Sequence, residues 1–321
     1  MFASGTKIHR PEINKLELFQ AIKTDLCFFY IYCNDFQRLM DNDNYVLYAD
    51  DTSIVFTGEN LDNLVNQVND KLRLISDWCK FNKLALNPTK SEFMLITNRK
   101  VMNMPAIYIE QDEIKQVHVT KYLGIFIDDK LKFHSHIENI ENKLSRFCGV
   151  SYRLKNHFNR DTALRYYYSC VYGTIRYCLA NFGGVSMCTL RCQRIERLHK
   201  RATENLFRKF CRSDGCIFKS MKLLKFRDIY KVCASTYMYQ VVIKNSIPCL
   251  NNLLNLQLPS HSYSTRSHNI FVTPFPRIES IRLNFQYKFT NICNELQNNL
   301  KTINSLNTFK KLLIDDIINS Y

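Results

Sequence analysis

The sequence is poor in the residues that interrupt regular structure, with 8 glycines, 7 prolines and a single tryptophan among 321 residues. This scarcity favours long helices with short connections over an all-β sandwich. No apolar run reaches the roughly 18 residues of a membrane span, and the longest, Leu26–Cys33, has eight. Met1–Gln20 is polar and mixed in charge, unlike a secretory signal. We therefore expect a nuclear or cytoplasmic chain that is not secreted and has no membrane partner, with its 13 cysteines reduced.

Charge is unevenly distributed along the chain, whose net charge is +15. Residues 1–132 contain 16 Lys and Arg against 18 Asp and Glu, a net charge of −2, whereas residues 133–321 contain 28 against 11, a net charge of +17. A neutral first part joined to a basic second part indicates that the second part binds a polyanion, with nucleic acid as the first candidate. The alternative is a solvated surface with surplus Lys and Arg.

The residue pattern predicts a hairpin with acidic residues at its turn. Two strand-forming segments, Tyr45–Ala49 and Thr52–Phe56, flank Asp50 and Asp51. By contrast, residues 1–25 show no clear period, and we treat them as a degenerate N-terminal segment.

An amphipathic helix is predicted next, because apolar residues recur in steps of four and three from Leu61 to Cys79. Asn60 is the expected N-cap, and Asn82 is expected to adopt the left-handed conformation that ends the helix. Further strands are expected after the Asn87-Pro88 turn, at Ala106–Ile109 and at Tyr122–Ile127. Together these elements predict an α+β fold, with helices packed on one face of a largely antiparallel sheet.

The second part of the chain is predicted to be mainly α-helical. Helices are expected at Ile137–Leu154, Asp161–Tyr177, Leu190–Phe210 and Thr308–Asn319. The third of these carries a row of basic residues that are candidates for phosphate contacts, among them Arg194, Arg197, Lys200 and Arg201. The alternative is that this row is only a solvated helix face.

Adjacent carboxylates at a hairpin tip have a chemical use in phosphoryl transfer. Nucleotide addition employs two Mg²⁺ ions about 4 Å apart, one activating the attacking hydroxyl and one holding the triphosphate. Mg²⁺ prefers oxygen ligands and is usually held by a few carboxylates together with substrate phosphates. Asp50 and Asp51 fit this role, although Asp-Asp is also a common turn sequence.

Four segments, in the same order and spacing, resemble the reverse transcriptases of non-LTR (LINE or jockey-like) retrotransposons. Tyr48-Ala49-Asp50-Asp51 is similar to the metal-binding motif of the palm. The stretch from Leu84 through Asn87 and Lys90 to Leu95 resembles the next motif, and Lys121–Ile125 followed by Asp128 resembles the primer-grip hairpin. Phe29–Asp35 resembles the segment beyond the template-gripping motif. The likeness continues into thumb and post-thumb at residues 164–182, 193–202 and Tyr263–Ser267.

The resemblance implies an RNA-directed DNA polymerase, a nucleotidyltransferase whose partners are an RNA template, a DNA primer and deoxynucleotides. Asp50 and Asp51 are then the Mg²⁺ ligands, and Lys90 lies near the leaving pyrophosphate. Tyr122, Leu123 and Gly124 are then primer contacts, although Lys90 also fits an exposed strand lysine and Tyr122 and Gly124 a core aromatic and a turn glycine. The implied domains are a degenerate N-terminal segment (1–25), a partial palm (26–132), a helical thumb-like region (133–215) and a basic helical C-terminal region (216–321).

Two departures from the family pattern bear on activity. The upstream strand with a third metal-binding aspartate is not recognisable, and Gln20–Asp25 stands where the template motif is expected. These departures predict a C-terminal fragment that is inactive alone and binds Mg²⁺ weakly or not at all. The alternative is a non-catalytic, basic nucleic-acid-binding protein or an unselected retrotransposon remnant.

Overall fold

The computed structural model describes most of the chain, namely residues 2–4, 29, 31–40, 44–99, 101, 104–186, 190–211, 215–243, 285–295, 303 and 305–321. Most of the predicted N-terminal segment 1–25 and the Tyr263–Ser267 motif lie outside these residues. The chain divides into two compact units, Met1–Leu131 and Lys132–Tyr321. Within the described part of the chain, no helix combines the length and apolar character needed to cross a membrane.

The first unit is built on a five-stranded sheet in the order β2-β3-β1-β4-β7. All neighbours in this sheet are antiparallel except β4 and β7, which are parallel. Two separate hairpins, β5–β6 and β8–β9, follow along the chain. The strands are β1 (Phe2–Ser4), β2 (Asn44–Tyr48), β3 (Asp51–Val55), β4 (Glu92–Met94), β5 (Tyr108–Ile109), β6 (Asp112–Glu113), β7 (Lys115–Gln116), β8 (Val119–Tyr122) and β9 (Ile125–Asp128).

The helices of the first unit are α1 (Phe36–Leu39) and α2 (Leu61–Phe81), with a 3₁₀ turn at Pro88–Lys90. The apolar stripe of α2 packs against residues of the sheet and of β5, which forms the core of this unit. The predicted α2 helix is confirmed, and the Asn60 side chain accepts a hydrogen bond from the Asn63 amide as its N-cap. The prediction for its C-terminal end is wrong, because Asn82 has φ −87° and Lys83, at φ 53°, adopts the left-handed conformation.

The second unit is helical throughout its described residues. Its α-helices are α3 (His134–Leu154), α4 (Arg160–Tyr166), α5 (Gly173–Arg176), α6 (Leu179–Ser186), α7 (Leu190–Phe207), α8 (Ile217–Ser220), α9 (Phe226–Met238), α10 (Phe285–Glu295) and α11 (Leu306–Asn319). Wider π-helical turns follow α4 at Tyr167–Tyr172 and α9 at Tyr239–Ile243, and a 3₁₀ turn, Arg208–Phe210, follows α7. A separate hydrophobic core, centred on α3, α7 and the π-helical turn between α4 and α5, holds this unit together.

The fold class expected from the sequence agrees with this architecture at the coarse level: small, mostly antiparallel sheets followed by helices. Two element predictions need correction. The single strand predicted at Tyr122–Ile127 is the middle of the β8–β9 hairpin, whose turn is Leu123-Gly124. The single helix predicted at Asp161–Tyr177 is divided by the π-helical turn at Tyr167–Tyr172.

Candidate functional site: an aspartate turn and a basic helix face

The tip of the β2–β3 hairpin brings the two candidate metal ligands together. Tyr48 pairs with Asp51 across the hairpin, so Ala49 and Asp50 form a two-residue turn. Ala49 has φ 51°, a conformation that a two-residue hairpin turn requires at its first central position and that glycine adopts most easily. We call residues Tyr48–Asp51 the aspartate turn.

Both acidic side chains of the aspartate turn are half-buried. Asp50 extends from the turn itself, whereas Asp51 is the first residue of β3. Within the described residues, neither carboxylate is held by a hydrogen bond or an ion pair. Two adjacent carboxylates left free in this way present oxygen ligands of the kind that Mg²⁺ prefers.

The strand beside β3 is formed by residues near the start of the chain. β1 (Phe2–Ser4) lies between β3 and β4, with Ser4 opposite Ser53 and opposite Glu92. No residue pattern indicates this strand, because three residues are too few to show alternation. None of its residues is acidic, and among the described residues no group of three or more His, Cys, Asp or Glu could hold a metal ion.

Lys90 is presented by a capped turn just before β4. The Asn87 side chain accepts hydrogen bonds from the Lys90 amide and from the Thr89 hydroxyl, which closes the 3₁₀ turn Pro88–Lys90. The Lys90 side chain is exposed. Among the residues that the structure describes, no ion pair joins it to Asp50 or Asp51.

The candidate primer contacts lie on the β8–β9 hairpin. Tyr122 pairs with Ile125, and the turn residues Leu123 and Gly124 have φ 45° and 86°. Two consecutive positive φ values are typical of a type I′ turn, which favours glycine at its second central position. Tyr122 and Leu123 are half-buried and Gly124 is exposed. The Thr120 hydroxyl donates a hydrogen bond to the Glu92 carboxylate, which links this hairpin to β4.

The basic row on α7 occupies one face of an amphipathic helix. The opposite face is buried in the core of the second unit through Cys192, Ile195, His199, Ala202 and Leu206. The exposed side carries the predicted residues, which we call the basic face: Arg194, Arg197, Lys200 and Arg201. This arrangement leaves four cations facing solvent along the helix.

Arg194 differs from the other members of the basic face because it has a buried partner. Its guanidinium lies 3.7 Å from the carboxylate of Glu141 on α3, whose side chain is 8% exposed. The other Glu141 oxygen has no hydrogen-bond partner in the described residues. Arg194 therefore has a structural task in addition to any contact with a ligand.

The buried side of α7 holds a neutral histidine. The His199 Nε2 atom lies 2.9 Å from the Tyr167 hydroxyl, deep in the core. Burial disfavours the imidazolium form and lowers the pKa of His199 to about 4. The same cause raises the pKa of Tyr167 well above its usual range. Both groups are neutral near pH 7, so this pair belongs to the interior and not to the basic face.

Comparison with known proteins gives a family match for part of the chain. Residues 26–144 match the family described as "Reverse transcriptase (RNA-dependent DNA polymerase)". The matched region therefore contains α2, the aspartate turn, Lys90 and the β8–β9 hairpin.

Two curated proteins are similar to part of the chain. The first is "Probable RNA-directed DNA polymerase from transposon X-element" of Drosophila melanogaster, 26% identical over 97 residues, which cover 30% of this chain and 11% of that protein. The second is "Retrovirus-related Pol polyprotein from type-1 retrotransposable element R1 2" of Nasonia vitripennis, 24% identical over 123 residues, which cover 37% of this chain and 29% of that protein.

The matched part thus spans less than a third of the length of either relative. No solved structure matches the chain. The family match and the two retrotransposon relatives agree with the motifs seen in the sequence: residues 26–144 of this chain are similar to the reverse transcriptases of retrotransposons.

Proposed function

We propose that the aspartate turn is the metal-binding element of an RNA-directed DNA polymerase, and that its partners are an RNA template, a DNA primer and deoxynucleotides. The observation that carries this proposal is the position of Asp50 and Asp51 at a two-residue hairpin tip, in a sheet backed by α2 and inside the matched residues. A rigid turn fixes two carboxylates more precisely than a mobile loop does.

The residues of the turn fit a divalent cation that also binds substrate. Mg²⁺ is commonly held by one or two carboxylates plus the phosphates of a nucleotide. Asp50 and Asp51 supply these carboxylates, and neither is engaged elsewhere within the described residues. When bound, the metal supplies Lewis-acid stabilisation of the reacting phosphate and activation of the primer hydroxyl.

Lys90 and the β8–β9 hairpin complete the proposed site. An exposed ammonium group offsets negative charge as it develops on a leaving pyrophosphate, which is the role we assign to Lys90. Tyr122, Leu123 and Gly124 offer a tight turn against which a primer strand can rest. Arg194, Arg197, Lys200 and Arg201 would contact the phosphates of the template and primer without regard to sequence.

We further propose that the 321-residue chain alone binds metal only together with nucleotide and does not complete nucleotide transfer. Two carboxylates leave most of the coordination shell to water and phosphate, and the neighbouring strand β1 contributes no third carboxylate. A second metal would therefore have few protein ligands, so we expect affinity in the millimolar range typical of weak carboxylate sites.

Titration with Mn²⁺, a paramagnetic substitute for Mg²⁺, tests the metal site directly. Free Mn²⁺ is measured by electron paramagnetic resonance with the parent chain, with and without dTTP, and the Mn²⁺ bound by the same concentration of dTTP without protein is subtracted. We expect dTTP to increase Mn²⁺ binding, and Asp50→Asn to remove at least most of that increase. The control is Asp77→Asn, which removes one exposed carboxylate from α2 in the same unit. Equal Mn²⁺ binding by the Asp50 and Asp77 variants would exclude the aspartate turn as the metal site.

Primer extension tests the second proposal separately. With an RNA template, a DNA primer and either Mg²⁺ or Mn²⁺, we expect no extension by the purified chain. Template-dependent extension that disappears in Asp50→Asn would show that two carboxylates suffice here. That result would contradict the proposed inactivity while supporting the metal site.

A further inference from the structure

We propose that the second unit contains a binding site for unpaired nucleotides of single-stranded RNA or DNA, separate from the aspartate turn and from the basic face. The site is a cleft of about 560 Å³ where the C-terminal ends of α3 and α7 meet. We call it the aromatic cleft; it is lined by Lys155, Asn156, Glu204, Asn205, Arg208 and Lys209. Its volume lies within the range of roughly 300–1,000 Å³ that is usual for small-molecule sites.

The floor of the aromatic cleft is fixed by one side chain. The Asn205 amide donates hydrogen bonds of 3.3 Å to the Cys148 carbonyl and to the Ser151 hydroxyl, which ties α7 to α3 directly beneath the cleft. Ser151 and the Cys148 side chain are buried. The cleft is therefore part of the packed structure of the unit, held by contacts in its core.

The charge of the lining suits a phosphate group. Three cations, Lys155, Arg208 and Lys209, face one carboxylate, that of Glu204. Arg208 is exposed, and within the described residues its guanidinium has no ion-pair partner. Lys209 donates a hydrogen bond to the Phe158 carbonyl, which holds its ammonium group at the cleft. Glu204 and Asn156 can accept hydrogen bonds from a base or a ribose.

Two exposed aromatic rings are each in contact with one of the cations that line the cleft. The Lys155 ammonium lies 4.4 Å from the ring centre of Tyr152, and the Lys209 ammonium lies 4.9 Å from that of Phe210. Tyr152 is 58% exposed and Phe210 is 36% exposed, so both rings are partly open to solvent. Aromatic rings beside a cationic groove are the features on which proteins stack the bases of single strands.

The simplest alternative is that the cations only neutralise the carbonyl ends of α3 and α7. This accounts for Lys155 and Arg208, which follow the ends of the two helices. It does not account for the exposure of two large aromatic rings, Tyr152 and Phe210, that contact cations of the same cleft. A duplex has its bases stacked on one another, so only a strand with unpaired bases can use these rings.

Binding of two fluorescently labelled probes tests the site: a 15-nucleotide oligo(dT) and a 15-base-pair duplex. We expect Tyr152→Ala and Phe210→Ala each to weaken oligo(dT) binding roughly tenfold while changing duplex binding less than twofold. The conservative variants Tyr152→Phe and Phe210→Tyr should bind oligo(dT) as tightly as the parent chain does. Arg208→Gln should also reduce the salt dependence of oligo(dT) binding by about 0.7 in log–log slope. The matched control is Lys311→Gln, which removes an exposed cation from α11.

Ultraviolet crosslinking of oligo(dT) to the parent chain, mapped by mass spectrometry, keeps the test valid if a variant fails to fold. The proposal expects crosslinks at Tyr152 or within residues 208–211. It is overturned if crosslinks avoid these residues, or if both alanine variants bind oligo(dT) as the parent does. Equal losses for oligo(dT) and duplex would also overturn it, because they would indicate charge alone. The Mn²⁺ titration of Asp50→Asn tests only the proposed polymerase site. Failure of that proposal can therefore be distinguished from failure of the binding site proposed here.

Discussion

The two units of this chain use charge in opposite ways. Residues 1–131 have a net charge of −3 and carry two adjacent aspartates at a hairpin tip, whereas residues 132–321 have a net charge of +18 and carry basic residues on the solvent face of α7. Carboxylates attract metal cations, whereas clustered Lys and Arg side chains attract polyanions. Because the aspartates and the basic face lie in different units, metal binding and nucleic-acid binding can be tested by independent substitutions.

The units also have separate hydrophobic cores. Substitutions in these cores should produce the largest changes in the free energy of unfolding. Phe207 is fully buried in the second unit and lies 5.8 Å, ring centre to ring centre, from Tyr167. Phe207→Ala should reduce the free energy of unfolding of that unit by about 3–5 kcal/mol, because it leaves a cavity. The only tryptophan, Trp78, lies in the first unit and packs against Phe36, so its fluorescence reports unfolding there.

Urea unfolding followed in parallel by Trp78 fluorescence and by far-ultraviolet circular dichroism distinguishes the two cores. We expect Phe207→Ala to shift the helical signal to lower urea and to leave the fluorescence transition in place. The converse variant, Leu72→Ala in α2, should shift the fluorescence transition. If Phe207→Ala moves both signals equally, the cores unfold together and the comparison of two separate units fails at the level of stability.

Acid should destabilise the second unit through His199, one of two buried histidines among its described residues. In the unfolded chain His199 binds a proton below its ordinary pKa of 6.5, whereas in the folded chain its pKa is about 4. The free energy of unfolding is therefore highest above pH 6.5 and falls as the pH drops toward 4, by roughly 3 kcal/mol for this group. In His199→Gln, unfolding measured by circular dichroism should lose this part of the pH dependence. Identical pH profiles for the parent and the variant would show that His199 is not a neutral core group.

A smaller effect should distinguish Arg194 from its neighbours on the basic face. Arg194→Ala leaves the buried Glu141 carboxylate without its partner, and we expect a loss of about 1 kcal/mol, since the arginine is largely exposed. Arg197 is exposed and, within the part of the chain that the structure describes, its side chain bonds only to the Gln193 carbonyl of its own helix, so Arg197→Ala should cost less than about 0.5 kcal/mol. Chemical denaturation measures both. Equal losses of stability would show that the ion pair of Arg194 with Glu141 does not stabilise the second unit.

Long periodic elements could be predicted from the sequence, and short or non-local ones could not. The stripe of α2 and its Asn60 cap follow from side-chain spacing and capping chemistry, so residues 61–81 were predicted correctly. The β2–β3 hairpin follows from two strand-forming arms around a turn. In contrast, β1 has only three residues and is recognisable only through its pairing with β3 and β4, which are distant in sequence.

Turn geometry accounts for the incorrect predictions. The segment Tyr122–Ile127 has the composition of one strand, and only the positive φ values of Leu123 and Gly124 reveal the reversal. Across the π-helical turn at Tyr167–Tyr172 the buried residues recur at every fourth position, from Ala163 through Tyr167 and Val171 to Ile175, and this spacing was interpreted as one helix. The aspartate pair and the basic face could be proposed as candidates from the sequence because each is local. The aromatic cleft was missed because residues 152–156 and 204–210 meet only in the fold.

The most direct test of the account is to compare the nucleic-acid affinity of two variants that change one unit each. One replaces Arg197, Lys200 and Arg201 with Glu and keeps Arg194, which supports Glu141; the other is Asp50→Asn. Binding to an RNA–DNA hybrid is measured by fluorescence anisotropy across a range of salt concentrations. We expect the triple variant to bind about a hundredfold more weakly at low salt, for every sequence, with a flatter dependence of log K on log salt. Asp50→Asn should stay within twofold of the parent. If the triple variant binds as tightly as the parent at every salt concentration, the basic face is only a solvated helix face. That result would contradict the claim that the second unit binds nucleic acid through α7 while the first unit binds metal.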